Sequence, residues 1–159
     1  MKRMLLLLSP ARVSPVCVEE ALEEASTSDA ELVAYFILDT TISEDLRKRI
    51  HDTGFLGGAP SDDFMKAMRR EHELQGREQL ERIGERASEL GIPYRSEFVI
   101  GDFLTSSLAA ADREHPEAIF VSRRERTAIA RLVEGSAVRE LEASAPCEVL
   151  VHDEDNGLE

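Results

Sequence analysis

The sequence predicts an α/β fold, with a single open five-stranded parallel sheet and helices on both faces. Two observations lead to this prediction. Short apolar runs, typical of strands buried on both faces, alternate along the chain with longer segments of helical periodicity. The chain also has 159 residues. That length suits one domain that buries its own core without needing a metal or disulfide.

The strand predictions rest on composition and on the residues that bound each run. The run at 32–38 is rich in β-branched and aromatic residues and ends at Asp39, which is typical of a buried strand. The run at 5–8 ends at Ser9-Pro10. On the same grounds strands are predicted at 5–8, 32–38, 94–100, 118–121 and 147–151.

The helix predictions rest on start and stop signals. Ser14-Pro15 has the pattern of an N-cap followed by proline at the first helical position. Ser61 is expected to cap a long helix that Gly91 stops, with Gly76 inside it as a point of bending or weakness. Further helices are predicted at 41–50, 105–114 and from Gly135-Ser136 to Ala145-Pro146.

Composition narrows the function classes. Lys and Arg number 19 against 32 Asp and Glu, a formal net charge of −13. Neither nucleic acid nor an anionic membrane surface is therefore an expected partner. No apolar run approaches the ~20 residues of a membrane-spanning helix. The apolar stretch at 4–8 is too short for a secretion signal, so we expect a cytoplasmic protein with reduced thiols at Cys17 and Cys147.

Catalytic and metal-binding patterns do not stand out in the sequence. The four histidines are scattered, and there is no Cys-x-x-Cys, Gly-x-Ser-x-Gly or Gly-x-Gly-x-x-Gly motif. Cys17 and Cys147 are interpreted as small core residues rather than nucleophiles. The sequence favours a binding or regulatory module over an enzyme and indicates no metal.

Several local phrases carry a family resemblance. They are Val99-Ile100-Gly101-Asp102, Gly135-Ser136 followed by a helix, and the closing run 145–151, Ala-Pro-Cys-Glu-Val-Leu-Val. Over about 2–152 the chain resembles the universal stress protein family. The resemblance implies a Rossmann-like, adenine nucleotide alpha hydrolase-like fold. It also implies a homodimer in which the last strands, 147–151, pair. An insertion or flexible loop at 40–61 and an acidic tail at 153–159 complete the expected organisation.

The resemblance implies two subclasses, of which one binds ATP. ATP-binding members carry Gly-x-x-Gly and, further along, Gly-Ser or Gly-Thr, since glycines let backbone N–H groups approach phosphate. Here Gly135-Ser136 is kept, but the two earlier glycine positions hold Ser122 and Glu125. The Glu125 carboxylate would repel phosphate, and Ser9 replaces the acid that follows the first strand in ATP-binding members. The sequence therefore predicts that ATP does not bind in the usual mode.

A basic segment beside this motif favours the binding of an anionic ligand. Residues 122–139 carry five arginines and two glutamates, a charge of 5 − 2 = +3 within an acidic protein. Arginines can bind phosphate through their side chains, or they can be solvated or paired with Glu125 and Glu134. Both interpretations stay open, and the ligand is unknown, with ATP or another anionic nucleotide with Mg²⁺ as the candidate. The candidate ligand-binding residues are Ser9, Ile37, Gly101, Ser122, Arg123, Arg124, Gly135 and Ser136.

Three functional hypotheses follow. The first is a homodimeric regulatory or stress-response module with a degenerate nucleotide site and a regulatory protein partner. The second is an adenine-nucleotide-binding member with slow or no hydrolysis. The third is a protein-interaction module with a vestigial pocket, contacting partners through the acidic helix at 62–90 and the strand at 147–151. Fold alone does not choose among them, because function depends on the site.

Overall fold

The order of the strands in the sheet is the feature that positions the functional site. The computed structural model describes residues 1–39, 62–124 and 136–154, with Arg124, Ser136 and Glu154 described as backbone only. Within that part, the sheet has five parallel strands in the order β3-β2-β1-β4-β5, which confirms the predicted fold class. In chain order the elements are β1 (Arg3–Leu8), α1 (Pro15–Thr27), β2 (Glu31–Leu38), α2 (Asp62–Glu89), β3 (Tyr94–Ile100), α3 (Phe103–Glu114), β4 (Ala118–Arg124), α4 (Ser136–Ser144) and β5 (Glu148–Glu154).

The core has two layers because the central strands bury both of their faces. Leu6 and Phe36 pack against Leu22 of α1 and Ile83 of α2 on one face of the sheet. On the other face the neighbouring strand residues pack against α3 and α4. Members of that second layer include Leu5, Leu7, Tyr35, Phe103, Val138 and Leu141. The alternation of side chains along a strand explains why continuous apolar runs were the correct signal for β1 and β2.

Helix starts and ends follow identifiable side-chain chemistry. The Ser14 hydroxyl accepts a hydrogen bond from the Cys17 N–H at 3.2 Å, which confirms the predicted cap of α1. The Asp102 carboxylate accepts from the Thr105 N–H at 2.8 Å, so α3 starts at Phe103 rather than at Thr105 as predicted. Gly91 follows α2 with a φ of 71°, a conformation that glycine adopts without strain.

Some predicted features lie outside the described residues. They are the helix at 41–50, the loop at 51–60 and the Ser61 cap. The long helix they precede is present as α2 and runs without interruption through Gly76. A Cβ atom at Gly76 would lie 2.6 Å from Phe36 ring carbons, so glycine allows the helix to approach the sheet closely. Among the described residues, no helix is both long and apolar enough to cross a membrane.

Candidate functional site

The direction of strand order reverses between β1 and β4, the arrangement that creates a crevice in open α/β sheets. β1 and β4 are neighbours, but the helices that follow them lie on opposite faces: α1 packs in the layer of Leu22, and α4 in the layer of Leu141. The helices that follow these two strands in the described residues therefore lie on opposite sides of the sheet. In open α/β sheets, ligands bind at this carboxyl edge, at the switch point.

The chain turns back immediately after β1. The Arg12 N–H donates to the Ser9 carbonyl at 2.9 Å, and the two residues form an isolated bridge. Ser9 is 7% exposed. Where ATP-binding relatives were expected to carry an acid, this crevice has a hydroxyl on a tight turn, as the sequence indicated.

Arg12 is a buried charged residue at this edge of the sheet that the sequence did not single out. It is 3% exposed, and its guanidinium carbon lies 4.5 Å from the centroid of the Phe103 ring at the start of α3. A guanidinium at that distance gains from the ring's negative face. The turn thus brings a buried positive charge to the carboxyl edge of the sheet. The only signal in the sequence is an arginine directly after the Ser9-Pro10 turn, which no pattern singles out.

The ends of β2 and β3 are tied together. The Gly101 N–H donates to the Leu38 carbonyl at 3.0 Å, and the Asp39 carboxylate accepts from the Phe103 N–H at 2.9 Å. Gly101 therefore lies at the carboxyl edge of the sheet on the β3 side, and its role in ligand binding stays a prediction. Ile37 is fully buried in the layer facing α3 and α4, so it would meet a ligand there through its backbone.

The end of β4 departs from the prediction. The strand was predicted to end at Val121, but β4 continues to Arg124. It does so because β5 runs beside it as far as Glu154, with Arg123 opposite Asp153. The Arg123 guanidinium contacts the Asp153 carboxylate at 2.7 Å. The expectations that β5 stops at 151 and that the tail begins at Asp153 are corrected by the same pairing.

Of the remaining predicted site residues, only some belong to the described part of the structure. Ser122 is buried, 2% exposed, at the end of β4. Ser136 is the first residue of α4, in agreement with the prediction that a helix opens there. Gly135, Glu125 and the side chains of Arg124 and Ser136 lie outside the described residues. The structure thus brings together Ser9, Ser122 and Arg123 at one edge, with Gly101 on the neighbouring strand ends.

Nucleophilic and metal-binding chemistry finds no support in the described ranges. Cys17 is buried in the α1 layer, and Cys147 packs against the opposite layer. Burial raises the pKa of the Cys147 thiol, and the nearby negative charge of Glu148 raises it further. The thiol therefore stays protonated at neutral pH. Within 1–39, 62–124 and 136–154, no three His, Cys, Asp or Glu side chains are grouped to hold a metal ion.

An open parallel sheet wound on both faces, with a crevice at its switch point, defines a Rossmann-like α/β protein. The chain belongs to the universal stress protein family, whose model matches residues 1–152. This confirms the family resemblance drawn from the sequence. A search of curated proteins gave no match.

Solved structures of this family share the fold. UspA from Lactobacillus plantarum superposes with a TM-score of 0.71 at 13% identity, over 95% of this chain and 97% of that one. An Archaeoglobus fulgidus universal stress protein in complex with dAMP gives 0.56 at 16% identity, over 95% and 98%. An Arabidopsis thaliana family protein with AMP bound gives 0.55 at 14% identity, over 96% and 92%. At sequence identities this low, the superpositions show that the fold is shared.

Proposed function

We propose that this protein is a homodimeric regulatory module of the stress response, with a degenerate nucleotide site that does not take Mg-ATP in the family's usual mode. Membership of the universal stress protein family supports the regulatory role. The function requires no turnover. The module would act by presenting a surface to a regulatory protein partner, with the crevice as a modified or vestigial sensor.

The arrangement at the end of β1 carries this proposal. Ser9 offers a neutral hydroxyl at the position where, by the family resemblance, ATP-binding members carry an acid that helps hold the nucleotide, and Arg12 adds a buried guanidinium on the same turn. Glu125, at a position where ATP-binding members have glycine, adds a negative charge near the expected phosphate position. Both changes oppose Mg-ATP.

A second candidate is an adenine-nucleotide-binding member of a different kind. The same Arg12 favours it, because a buried guanidinium is a strong partner for a phosphate oxygen in the absence of metal. Two relatives of the same fold hold dAMP and AMP. In this version the site takes a nucleotide monophosphate without Mg²⁺, and hydrolysis plays no part.

Calorimetric titration tests both candidates, after mass spectrometry has checked the purified protein for nucleotide carried through purification. We expect no heat of binding when the protein is titrated with Mg-ATP, and no ATP in the purified protein by mass spectrometry. The variant Ser9→Asp combined with Glu125→Gly should gain Mg-ATP binding, because it restores the lost acid and removes the repelling one. Micromolar Mg-ATP binding by the wild-type protein, weakened by Gly135→Val or Ser136→Ala, would overturn the first proposal.

Titration with AMP in the absence of Mg²⁺ separates the second candidate from the first. Binding that is lost in Arg12→Gln and kept in Arg70→Gln would establish the metal-free mode. Arg70 is a suitable control because it is an exposed arginine on α2, outside the basic segment 122–139. If titration of the wild-type protein with AMP gives no heat of binding, the second candidate is excluded and the interaction role remains.

A further inference from the structure

The outer side of β3 carries an open groove that the nucleotide crevice does not use. β3 is the edge strand, and among the described residues it pairs with β2 alone. A groove of about 690 Å³ runs between β3 and α2. It is lined by Tyr94, Ser96 and Phe98 from the strand and by Arg77, Leu80, Glu81, Gly84, Glu85 and Ser88 from the helix.

The backbone of β3 also presents hydrogen-bonding groups here that pair with no other strand in the described part of the chain. The Pro93 carbonyl accepts from the Leu32 N–H, and the Gly101 N–H donates to the Leu38 carbonyl, so odd-numbered positions face β2. In a strand the N–H and C=O of one residue point to the same side and alternate along the chain. The N–H and C=O groups of Tyr94, Ser96, Phe98 and Ile100 therefore point to the open edge.

The groove has an apolar floor. Tyr94 and Phe98 pack against the core layer of α1 and α2, and the Phe98 ring stacks on Phe36 with centroids 5.7 Å apart. The Arg77 guanidinium lies 4.5 Å from the Phe98 ring centroid. Gly84 leaves the middle of the groove open, since a Cβ there would already lie 2.9 Å from the Tyr94 ring. An added strand would lay every second side chain along this floor.

The outer rim of the groove is acidic. Glu81 and Glu85 are both exposed, one helical turn apart, and have no ion pair among the described residues. Like charges at this spacing weaken a helix, so helix stability does not explain them. The neighbouring arginines of α2 are engaged elsewhere: Arg82 contacts Glu78 at 2.6 Å, and Arg86 contacts Glu19 at 3.1 Å.

We propose that the β3 edge and the α2 groove form a docking site for an extended, basic segment of a protein partner, which adds a sixth strand to the sheet. Backbone hydrogen bonds to Ser96 and Phe98 would align the segment. Lys or Arg side chains at alternate positions would lay their aliphatic stems on Tyr94 and Phe98 and reach Glu81 and Glu85 with their charged ends. The proposal concerns the opposite edge of the sheet from β5 and is independent of the nucleotide question.

A capped heptapeptide of alternating Lys and Thr is the probe, because its length matches β3 and both residues suit a strand with one charged face. We expect saturable binding by calorimetry and slower amide exchange at Ser96, Phe98 and Ile100. A peptide with Glu in place of Lys should not bind. The Lys-Thr peptide with alternate backbone nitrogens methylated should also fail, since it cannot donate to the edge.

Two variants test the site from the protein side. Ser96→Pro removes an outward N–H without touching the β2 pairing, and Ser96→Ala is its control. The double variant Glu81→Lys with Glu85→Lys reverses the charge of the groove rim at two exposed positions. Its control is Glu140→Lys with Glu142→Lys, which makes the same charge change at exposed positions on α4. We expect each site variant to weaken binding about tenfold or more and each control to leave it nearly unchanged. The charge-reversal variant keeps the test valid should Ser96→Pro fail to fold.

Several outcomes overturn the proposal. They are no saturable binding of the Lys-Thr peptide, equal binding of the Glu-Thr peptide, or amide protection confined to β5. If the α4 control variant loses as much affinity for the peptide as the rim variant, the binding is explained by general charge attraction. Self-association that disappears in Ser96→Pro while the Lys-Thr peptide does not bind would assign the edge to a second copy of this chain.

Discussion

The phenol oxygen of Tyr35, on β2, donates a hydrogen bond to Oε2 of Glu114, at the end of α3, at 2.7 Å. Glu114 is 2% exposed and also accepts hydrogen bonds from both terminal nitrogens of Arg95, on β3. Arg113 donates to the Tyr35 oxygen at 3.1 Å. One buried carboxylate thus joins α3 to β2 and β3 at the end of the sheet opposite the candidate ligand crevice.

Replacing Glu114 with alanine should destabilise the protein strongly. The substitution leaves the Tyr35 hydroxyl and the Arg95 guanidinium without their acceptor, and a broken buried pair costs about 3–5 kcal/mol. Because the Arg95 side chain is 38% exposed, we expect about 2–3 kcal/mol in urea unfolding. Tyr35→Phe, which removes one hydroxyl, should cost about 1 kcal/mol. Equal stability of the alanine variant and the wild type would show that the network is energetically neutral.

The same carboxylate should make stability depend on pH in the acid range. The hydrogen bond from Arg95, reinforced by that from Tyr35, lowers the pKa of Glu114 below its ordinary value of 4.5, against the opposing effect of burial. A lowered native pKa means that the stabilisation is complete above the unfolded value. It is lost as pH falls below 4.5 and through the native pKa.

The measurement is the free energy of unfolding at a series of pH values. We expect the wild-type curve to fall on the acid side of pH 4.5 and the Glu114→Gln curve to fall less steeply there. Asp112→Asn, at an exposed position on the same helix, is the control and should follow the wild type. Parallel curves for the wild type and Glu114→Gln would mean that other carboxylates govern the acid transition.

Gly76→Ala should destabilise the protein although alanine is the better helix former. The new Cβ would lie 2.6 Å from ring carbons of Phe36, and that ring is held by stacking on Phe98. Overpacking of this kind costs about 1–3 kcal/mol and outweighs the ~1 kcal/mol gained in helix propensity. Ser88→Ala, exposed on the same helix, should be neutral or slightly stabilising in the same thermal unfolding experiment. A more stable Gly76→Ala protein would show that the helix can move away from the sheet.

The arrangement of strands and helices could be predicted because burial on both faces imposes continuous apolar runs. Leu5 to Leu8 and Leu32 to Leu38 are such runs, and both form buried strands. The end of β4 escaped prediction because Arg123 has the appearance of a loop residue. Its partner Asp153 follows the apolar run of β5, so only the pairing of the two strands shows that both residues belong to the sheet.

The sequence indicated the carboxyl edge of the sheet as the place for a site, but neither the strand order nor the chemistry there. The alternation of elements predicts a parallel sheet, and the observed order β3-β2-β1-β4-β5 is what places Ser9 and Ser122 beside the switch point. The burial of Arg12 depends on contact with Phe103, which is distant in the sequence, and no local pattern encodes that contact. For the same reason, the role of Gly76 became visible only when Phe36 was found against it.

Substitutions at the two sheet edges should locate the homodimer interface that we propose for β5. Leu150 is 38% exposed on β5, and Ile100 is 56% exposed on β3, so each offers an apolar side chain at an opposite edge. Leu150→Lys places a charge in the proposed interface and should give monomers in size-exclusion chromatography with light scattering, as should Val149→Lys. Ile100→Lys should leave the dimer intact. Dimers that persist in Leu150→Lys and dissociate in Ile100→Lys would move the interface to β3, and a wild-type monomer would remove dimerisation from the proposed function.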